Sequence, residues 1–190
     1  MLLLTFFPIL LVAGLIIGLL SGRSPLVAID RVGRGGLPFA MLKLRTMWSR
    51  TGCERSRFGG LVAYMEGEFV PPVKSAGDPR IQSRFARFCR RYSIDELPQL
   101  LHVLTGAMAL VGPRPLTSVE LDAYYDADAV EVTQVRPGLT GLWQVMGRNR
   151  LTYPQRRRLD LFLVRHRSVL LNLWILWRTI PQVVRGMDAH

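Results

Sequence analysis

The chain has 190 residues, which suits one domain with an appended segment and allows a hydrophobic core. It carries 25 lysines and arginines against 14 acidic residues, and Lys43 and Lys74 are the only lysines. Arginine forms planar, bidentate contacts with phosphate, so this balance favours a phosphorylated partner. The net charge of +11 excludes no class among nucleic acid, acidic lipid headgroups and phosphorylated substrates.

The first segment of the chain is apolar, since residues 1–22 carry no charged side chain and Arg23 is the first. A bilayer-spanning helix needs about 20 apolar residues, so the length permits one. Pro8, Gly14 and Gly18 weaken that interpretation, and we expect a kinked helix that enters and leaves the membrane by the same face. A secretory signal peptide is the alternative, although no basic residue precedes the apolar core and no Ala-x-Ala-like site follows it.

All basic residues lie after this segment, in residues 23–190. The positive-inside rule therefore predicts that this second, larger unit lies in the cytoplasm. In that reducing compartment we expect no disulfide between Cys53 and Cys89. Neither the cysteines nor the histidines, which are His102, His166 and His190, show metal-ligand spacing.

A β-hairpin is predicted next, with strands over residues 26–32 and 37–45. Residues 33–36 (GRGG) supply the positive φ angles of its turn. Lys43, near the end of the second strand, suits a solvated strand end and a phosphate contact equally well. Residues 49–77 show no clear periodicity and are predicted to form a long loop.

Two helices are predicted around the acidic pair Asp95 and Glu96. The first runs from residue 78 to about residue 91, with Ile81, Phe85 and Phe88 on one side. The second begins at Ser93, because the Ser-x-x-Glu pattern is typical of a capping box in which Glu96 is the N3 residue. Its apolar face comprises Leu97, Leu100, Leu101 and Leu104.

The acidic pair lies in the most arginine-rich stretch of the chain, which contains Arg84, Arg87, Arg90 and Arg91. A neighbouring guanidinium favours the ionised carboxylate, so either acid could serve as a nucleophile or a metal ligand. For Asp95 this function is compatible with a place in the first turn of a helix, which favours negative charge. Glu96 cannot both close a capping box and bind a metal with the same oxygens.

Two constrained loops follow the predicted helix. In residues 110–115 (LVGPRP) two prolines flank Arg114 and restrict the backbone around it. Residues 136–141 (RPGLTG) lead to Gln144 and then to residues 147–149 (GRN). Each loop alone is weak support for a binding site, because Pro-Gly is ordinary turn chemistry.

The C-terminal part is predicted to be helical from Thr152, with Pro154 in the first turn. Asp160 follows three arginines, and a surface ion pair and a metal or active-site role are equally compatible with it. Residues 169–177 (VLLNLWILW) are too short to span a membrane. With Trp174, Trp177 and flanking arginines they suit a helix that lies in the membrane interface.

Six motifs occur in an order that resembles the bacterial sugar transferase family, the monotopic polyprenyl-phosphate phosphoglycosyl transferases. They are residues 43–47 (KLRTM), 93–100 (SIDELPQL), 111–115 (VGPRP), 136–141 (RPGLTG), 147–149 (GRN) and 159–160 (LD). The resemblance covers nearly the whole chain from about residue 24 onward.

The resemblance implies a monotopic α+β protein, mainly helical, with a re-entrant N-terminal membrane helix, a short β-hairpin and interfacial helices around a cytoplasmic active site. The implied location is the bacterial inner membrane. The implied reaction transfers a sugar 1-phosphate from a UDP-sugar to undecaprenyl phosphate, the first membrane step in exopolysaccharide or O-antigen synthesis. Membrane lipids are implied partners, nucleic acid is not, and a homo-oligomer is left open.

The family also implies roles for individual residues. Asp95 would be the nucleophile that forms a covalent phosphosugar intermediate, and Glu96 its partner in a catalytic dyad. Glu96 and Asp160 would lie near a Mg²⁺ ion. The basic residues at or near the diphosphate would be Lys43, Arg90, Arg114 and Arg148.

Some positions depart from the family pattern. Pro8 lies only seven residues from the first residue, so the re-entrant helix is expected to be short or truncated. Ala107 and Ala109 stand where relatives usually have Asp and Ser, and Asn172 replaces a common Asp. These departures favour one alternative, a catalytically degenerate member that acts as a membrane-bound interaction protein. A second alternative is a membrane-attached protein that binds nucleic acid or anionic lipid through its arginines.

Overall fold

The computed structural model describes residues 2–48, 81 and 83–186. The loop predicted over residues 49–77, with Cys53 and Lys74, lies outside these described residues, as does Asp78. Within them are eight α-helices and two small β-sheets. The helices are α1 (Leu2–Ser21), α2 (Arg84–Arg91), α3 (Leu100–Leu104), α4 (Ser118–Tyr124), α5 (Ala129–Thr133), α6 (Leu142–Met146), α7 (Tyr153–Arg165) and α8 (Val169–Arg185). The strands are β1 (Leu26–Val32), β2 (Pro38–Leu44), β3 (Ala109–Val111) and β4 (Gly138–Thr140).

Strands β1 and β2 form the predicted antiparallel hairpin, with Leu26 opposite Leu44 and Val32 opposite Pro38. A 3₁₀ turn over Arg34–Gly36 joins them, and Gly35 and Gly36 have the positive φ angles that the sequence predicted. The hairpin and the mainly helical α+β character are therefore confirmed.

The hairpin is attached to α3 by a side-chain hydrogen bond. The backbone N–H of Leu42 donates to His102 Nε2 at 3.1 Å. Burial lowers the pKa of His102, which favours the neutral ring that can accept this bond. The contact holds β2, and with it Lys43, against the segment that carries the acidic pair.

Helix α1 covers the apolar N-terminal segment and contains Pro8. Its buried residues Ala13 and Ile17 pack with Leu44 of the hairpin and Cys89 of α2. Large apolar side chains on its other faces are exposed, and they are Phe7, Ile9, Leu11, Val12, Leu15, Leu19 and Leu20. No helix in the described part of the chain has both the length and the apolarity needed to cross a membrane.

Helix α2 begins at Arg84, several residues after the predicted start at residue 78. The Ser83 hydroxyl accepts a hydrogen bond from the Ala86 N–H at 2.8 Å and so caps the helix. Phe85 and Phe88 share one side as predicted, with their rings stacked at 6.2 Å between centroids, but the buried residues of α2 are Ala86 and Cys89 and Phe88 is exposed. On this buried face Cys89 packs with Ala13 and Ile17 of α1.

The acidic pair lies in a 3₁₀ helix over Ile94–Gln99, which leads directly into α3. Ser93 precedes it with a left-handed φ of 56° and forms no side-chain cap. The predicted capping box between Ser93 and Glu96 is therefore wrong. Of the apolar face predicted for this segment, Leu100 is buried but Leu101 and Leu104 are exposed.

The two constrained loops meet as a parallel two-stranded sheet, with Ala109 opposite Gly138 and Val111 opposite Thr140. Backbone hydrogen bonds extend the contact past the strands: the Gly112 N–H donates to the Thr140 carbonyl at 3.0 Å, and the Gly138 N–H donates to the Pro113 carbonyl at 2.7 Å. This pairing fixes the backbone next to Arg114.

Helices α6, α7 and α8 enclose the main core, which consists of Val111, Leu142, Val145, Leu163 and Ile175. Helix α7 begins after Thr152 as predicted, with the Thr152 N–H donating to Gln155 Oε1 at 2.8 Å. Helix α8 starts at the predicted residue but runs on to Arg185, past Pro181. Its outer face is apolar, with Leu170 80% and Trp177 73% exposed.

Candidate active site

Asp95 and Glu96 occupy the first turn of the 3₁₀ helix, where the chain leaves α2. Asp95 is only 7% exposed, which is unusual for a carboxylate. Its negative charge acts on the buried thiol of Cys89, and burial followed by this charge raises the pKa of Cys89 to about 11. Asp95 therefore lies against the inner face of α2, next to a thiol that stays protonated at neutral pH.

Glu96 forms an ion pair with Lys43 of β2, with 2.7 Å between the Lys43 Nζ and a carboxylate oxygen. Both side chains are largely buried: 16% of the Lys43 side-chain surface and 24% of the Glu96 side-chain surface is exposed. Partial burial limits solvent screening, so this pair is held more firmly than one on the surface. The ammonium takes the place of the capping contact predicted for Glu96, and a positive charge thereby lies beside the acidic pair.

A small cavity lies at this ion pair. It brings together residues from four separate motifs of the sequence. Its lining consists of Met41, Lys43, Glu96, Gln99, Arg114, Pro115, Gly138, Leu139 and Gln144. Two cations, one carboxylate and two amides thus face a single space, which suits a ligand that carries both phosphate and neutral polar groups.

Arg114 reaches the cavity from the loop after β3, between the buried prolines Pro113 and Pro115. The guanidinium carbon lies 5.9 Å from the centre of the Trp143 ring, within cation–π distance. Arg114 also lines a second small cavity, which is mainly apolar and includes Val32, Leu116 and Val132. Arg114, between its two prolines, therefore lines both cavities.

Asp160 lies in the interior and is 0% exposed, so the predicted alternative of a surface ion pair is wrong. Its Oδ2 accepts a hydrogen bond from the Tyr125 hydroxyl at 2.7 Å. Burial raises the pKa of Asp160 to about 7, although Tyr125, Trp143, Arg114 and Arg156 all favour the charged form. The carboxyl group is thus buried beside Tyr125 and within electrostatic reach of Arg114.

The remaining predicted phosphate contacts do not line this cavity. Arg90 is in the last turn of α2 and is partly buried. Arg148 begins the 3₁₀ turn over Arg148–Arg150, with a left-handed φ of 46°. Their phosphate-binding roles stay predictions, whereas Lys43 and Arg114 are brought together with Glu96.

The residues predicted near Mg²⁺ differ in how well they suit the ion. Glu96 presents hard carboxylate oxygens to the cavity, as Mg²⁺ requires. Asp160 is enclosed, hydrogen-bonded to Tyr125 and close to two guanidinium groups, which leaves little room for a hydrated cation. Among the described residues, no cluster of three or more His, Cys, Asp or Glu side chains is arranged to hold a metal. The role of Asp160 as a ligand stays a prediction.

Replacing Asp160 by Asn tests whether burial raises the pKa of this carboxyl group. Between pH 3.8 and about 7 the folded carboxyl keeps a proton that the unfolded chain has lost, so the free energy of unfolding should fall as pH rises. Asp160→Asn cannot ionise and can still accept from Tyr125, so this decline should shrink by on the order of a few kcal/mol. Urea unfolding at several pH values measures how the free energy of unfolding changes with pH in each protein.

The exposed residue Asp122 on α4 supplies the matched control, Asp122→Asn. It should unfold with the wild-type pH dependence. If the free energy of unfolding changes with pH equally in Asp160→Asn and wild type, Asp160 ionises normally. If Asp160 binds Mg²⁺, its asparagine variant should instead need more Mg²⁺ for activity.

Sequence reasoning missed two kinds of residue here. Tyr125 and Trp143, the neighbours of Asp160, carry no motif that marks them as its partners. Gln99 and Gln144 stand inside or beside motifs that were recognised, but no role was inferred for them. The signal available for Gln99 was an amide directly before the apolar Leu100 and Leu101.

Comparison with known proteins identifies relatives along the full length of the chain. The exopolysaccharide production protein ExoY of Rhizobium meliloti (strain 1021) is 37% identical over 188 residues, which cover 99% of this chain and 82% of that protein. The UDP-galactose-lipid carrier transferase of Erwinia amylovora is 39% identical over 172 residues, covering 90% of this chain and 35% of that protein.

A third relative is the UDP-glucose:undecaprenyl-phosphate glucose-1-phosphate transferase of Caulobacter vibrioides, 40% identical over 195 residues, covering 97% of this chain and 66% of that protein. The chain therefore spans most of the first relative but only about a third of the second. The family model described as bacterial sugar transferase matches residues 1–186. With near-complete coverage by that model and by ExoY, the chain belongs to the bacterial sugar transferase family.

Proposed function

We propose that the protein transfers a sugar 1-phosphate from a UDP-sugar to undecaprenyl phosphate, through a phosphosugar carried on Asp95. The observation that carries this proposal is a nearly buried aspartate directly before Glu96, whose ion pair with Lys43 lines a cavity together with Arg114; Asp95 itself is not among the lining residues. Relatives named for galactose and glucose transfer to a lipid carrier support the reaction class.

In the first step a carboxylate oxygen of Asp95 attacks the phosphorus next to the sugar. A phosphorus–oxygen bond to Asp95 forms while the bond to UMP breaks, and UMP leaves with the electron pair. In the second step a phosphate oxygen of the lipid attacks the same phosphorus and releases the carboxylate. Asp95 thus returns to its starting state.

The cations of the cavity have the charge that both steps require. Lys43 and Arg114 face the same space as Glu96, so they would offset negative charge on the diphosphate and on the departing UMP. Glu96 holds Lys43 in place and would be the carboxylate that binds Mg²⁺. When bound, Mg²⁺ would stabilise negative charge on the phosphoryl oxygens.

A lipid acceptor requires the site to lie at headgroup depth, and two apolar surfaces support such a location. Helix α1 exposes large apolar side chains on the faces that do not pack against the hairpin, and α8 exposes Leu170 and Trp177. Arg178 lies over the Trp174 ring at 5.6 Å, a pairing of aromatic and basic groups that suits the membrane interface. We place the protein at the cytoplasmic face of the bacterial inner membrane, with α1 as a re-entrant helix.

A donor screen tests this function. Protein reconstituted in phospholipid should release UMP from one or more UDP-sugars when undecaprenyl phosphate and Mg²⁺ are present, and chelation of Mg²⁺ should abolish the release. UDP-glucose and UDP-galactose are the first donors to test, because the relatives are named for these sugars. No UMP release from any common UDP-sugar would contradict the proposal and favour the catalytically degenerate alternative.

A further inference from the structure

Two glutamines line the cavity without a role in the steps described above. Gln99 ends the 3₁₀ helix that carries the acidic pair and is only 3% exposed. Gln144 lies in the middle of α6 and is partly buried. They come from separate segments of the chain, and both line the cavity that Lys43 and Arg114 also line.

Each glutamine holds a buried polar atom that is not hydrogen-bonded within the described residues. These atoms are the Gln99 Nε2, a donor, and the Gln144 Oε1, an acceptor. Buried polar groups in folded proteins are almost always paired, and an unpaired one opposes folding. Two such atoms at one cavity, one of each kind, point to a ligand that pairs with both.

The backbone around both side chains is fixed before any ligand binds. Gln99 lies between the buried residues Pro98 and Leu100. The carbonyl of Val145, next to Gln144, accepts a hydrogen bond from Gln182 Nε2 of α8 at 2.8 Å, which ties α6 to the core. The backbone that carries the two amides therefore requires little ordering when a ligand enters.

The polarity of the two atoms selects the chemistry of the ligand group. An ionised phosphate oxygen accepts hydrogen bonds and could pair with Gln99, but it has no proton for the Gln144 oxygen. A hydroxyl both donates and accepts, so hydroxyl groups of one ligand could pair with both amides. Lys43 and Arg114 supply the charge for phosphate on the same wall.

We propose that Gln99 and Gln144 form a subsite that reads hydroxyl groups of the transferred sugar, next to the cations that hold its phosphate. This inference rests on the proposed function and extends it to the choice of donor. The two residues determine specificity and do not take part in bond making. Ribose hydroxyls of the UDP group share this chemistry, so the test includes them.

The experiment compares Gln99→Met and Gln144→Met with wild type in the UMP-release assay. Methionine keeps the side-chain length but can neither donate nor accept in this way. The substrates are the donor that wild type uses, its analogues lacking one sugar hydroxyl at a time, and its 2′-deoxyuridine analogue. Gln134→Met is the matched control, since Gln134 is exposed and does not line the cavity.

For the natural donor, kcat/KM should fall on the order of tenfold in each variant. For one deoxysugar analogue, wild type and variants should become nearly equal, because the hydrogen bonds that distinguish them are gone in both. Inhibition by UMP should not change. The melting temperature of Gln99→Met should equal or exceed that of wild type, since the change removes an unpaired buried amide.

Four results would overturn the inference. If the variants lose the same factor in kcat/KM with the natural donor and with every deoxysugar analogue, the glutamines have a packing role. If wild type and variants become equal only with the 2′-deoxyuridine analogue, the glutamines bind the ribose. A higher Mg²⁺ requirement in Gln144→Met with unchanged discrimination would make Gln144 a metal ligand. Wild type that releases no UMP would remove the proposed function and this inference together, whereas the other results leave the proposed function standing.

Discussion

Asp95→Asn should reduce UMP release by roughly 10³-fold or more while the protein remains folded. Asparagine has nearly the same shape as aspartate, so it fits the same buried position, but its amide is not a nucleophile. The loss should appear in kcat, because the attacking oxygen acts only in the reaction itself. UMP release and thermal unfolding, measured on the same preparation, separate loss of chemistry from loss of fold.

Asp122→Asn on the exposed face of α4 provides the matched control and should keep wild-type activity. A second readout concerns the covalent step: wild type incubated with UDP-sugar but no lipid acceptor should carry a phosphosugar on the peptide that contains Asp95. Mass spectrometry detects this mass addition, which Asp95→Asn must lack. Turnover near the wild-type rate in Asp95→Asn would exclude Asp95 as the nucleophile.

Gly138→Ala should destabilise the protein by about 3 kcal/mol or more, a large part of the stability of a typical domain. A Cβ atom at this position would collide with the Gly112 amide nitrogen and would lie 2.6 Å from the Gly112 carbonyl oxygen. These are backbone atoms that cannot rotate away. Relief of the collision requires β3 and β4 to separate, which breaks the hydrogen bonds from Gly138 to Pro113 and from Gly112 to Thr140.

Thermal or urea unfolding measures this effect, with Gly18→Ala as the comparison. An added Cβ at Gly18 in α1 meets its nearest atom, the Arg23 carbonyl oxygen, at 3.9 Å, so that change should cost little. Any folded Gly138→Ala protein should also have reduced UMP release, because Arg114 follows the displaced backbone. Equal stability of the two variants would show that the two loops are not tightly apposed.

Local patterns in the sequence were sufficient for the elements whose causes are local. The hairpin followed from alternation and from Gly35 and Gly36 in its turn, and the start of α7 followed from Thr152 and Pro154. Helix α2 was predicted too long because an amphipathic pattern does not mark where Ser83 caps the helix. The acidic pair was recognised, but it lies in a 3₁₀ helix and not in the first turn of the capped helix that the pattern predicted.

The failed predictions concern contacts between residues far apart in the chain. The capping box at Ser93 was a sound local pattern, but Lys43, 53 residues away, binds the same carboxylate. For Asp160 the sequence left a surface ion pair and an active-site role equally open, and Tyr125, 35 residues away, reaches it in the core. A pattern within one segment carries no information about which distant side chain competes for an atom.

The pairing of β3 with β4 also bears on how such a protein can change its substrate in evolution. The bonds that join the two loops are made by main-chain atoms, and the close approach depends on Gly112 and Gly138. Leu139, between the paired residues of β4, projects a side chain onto the cavity without contributing to those bonds. Mutation can therefore reshape this wall of the cavity for a different sugar while the position of the Arg114 backbone is inherited unchanged.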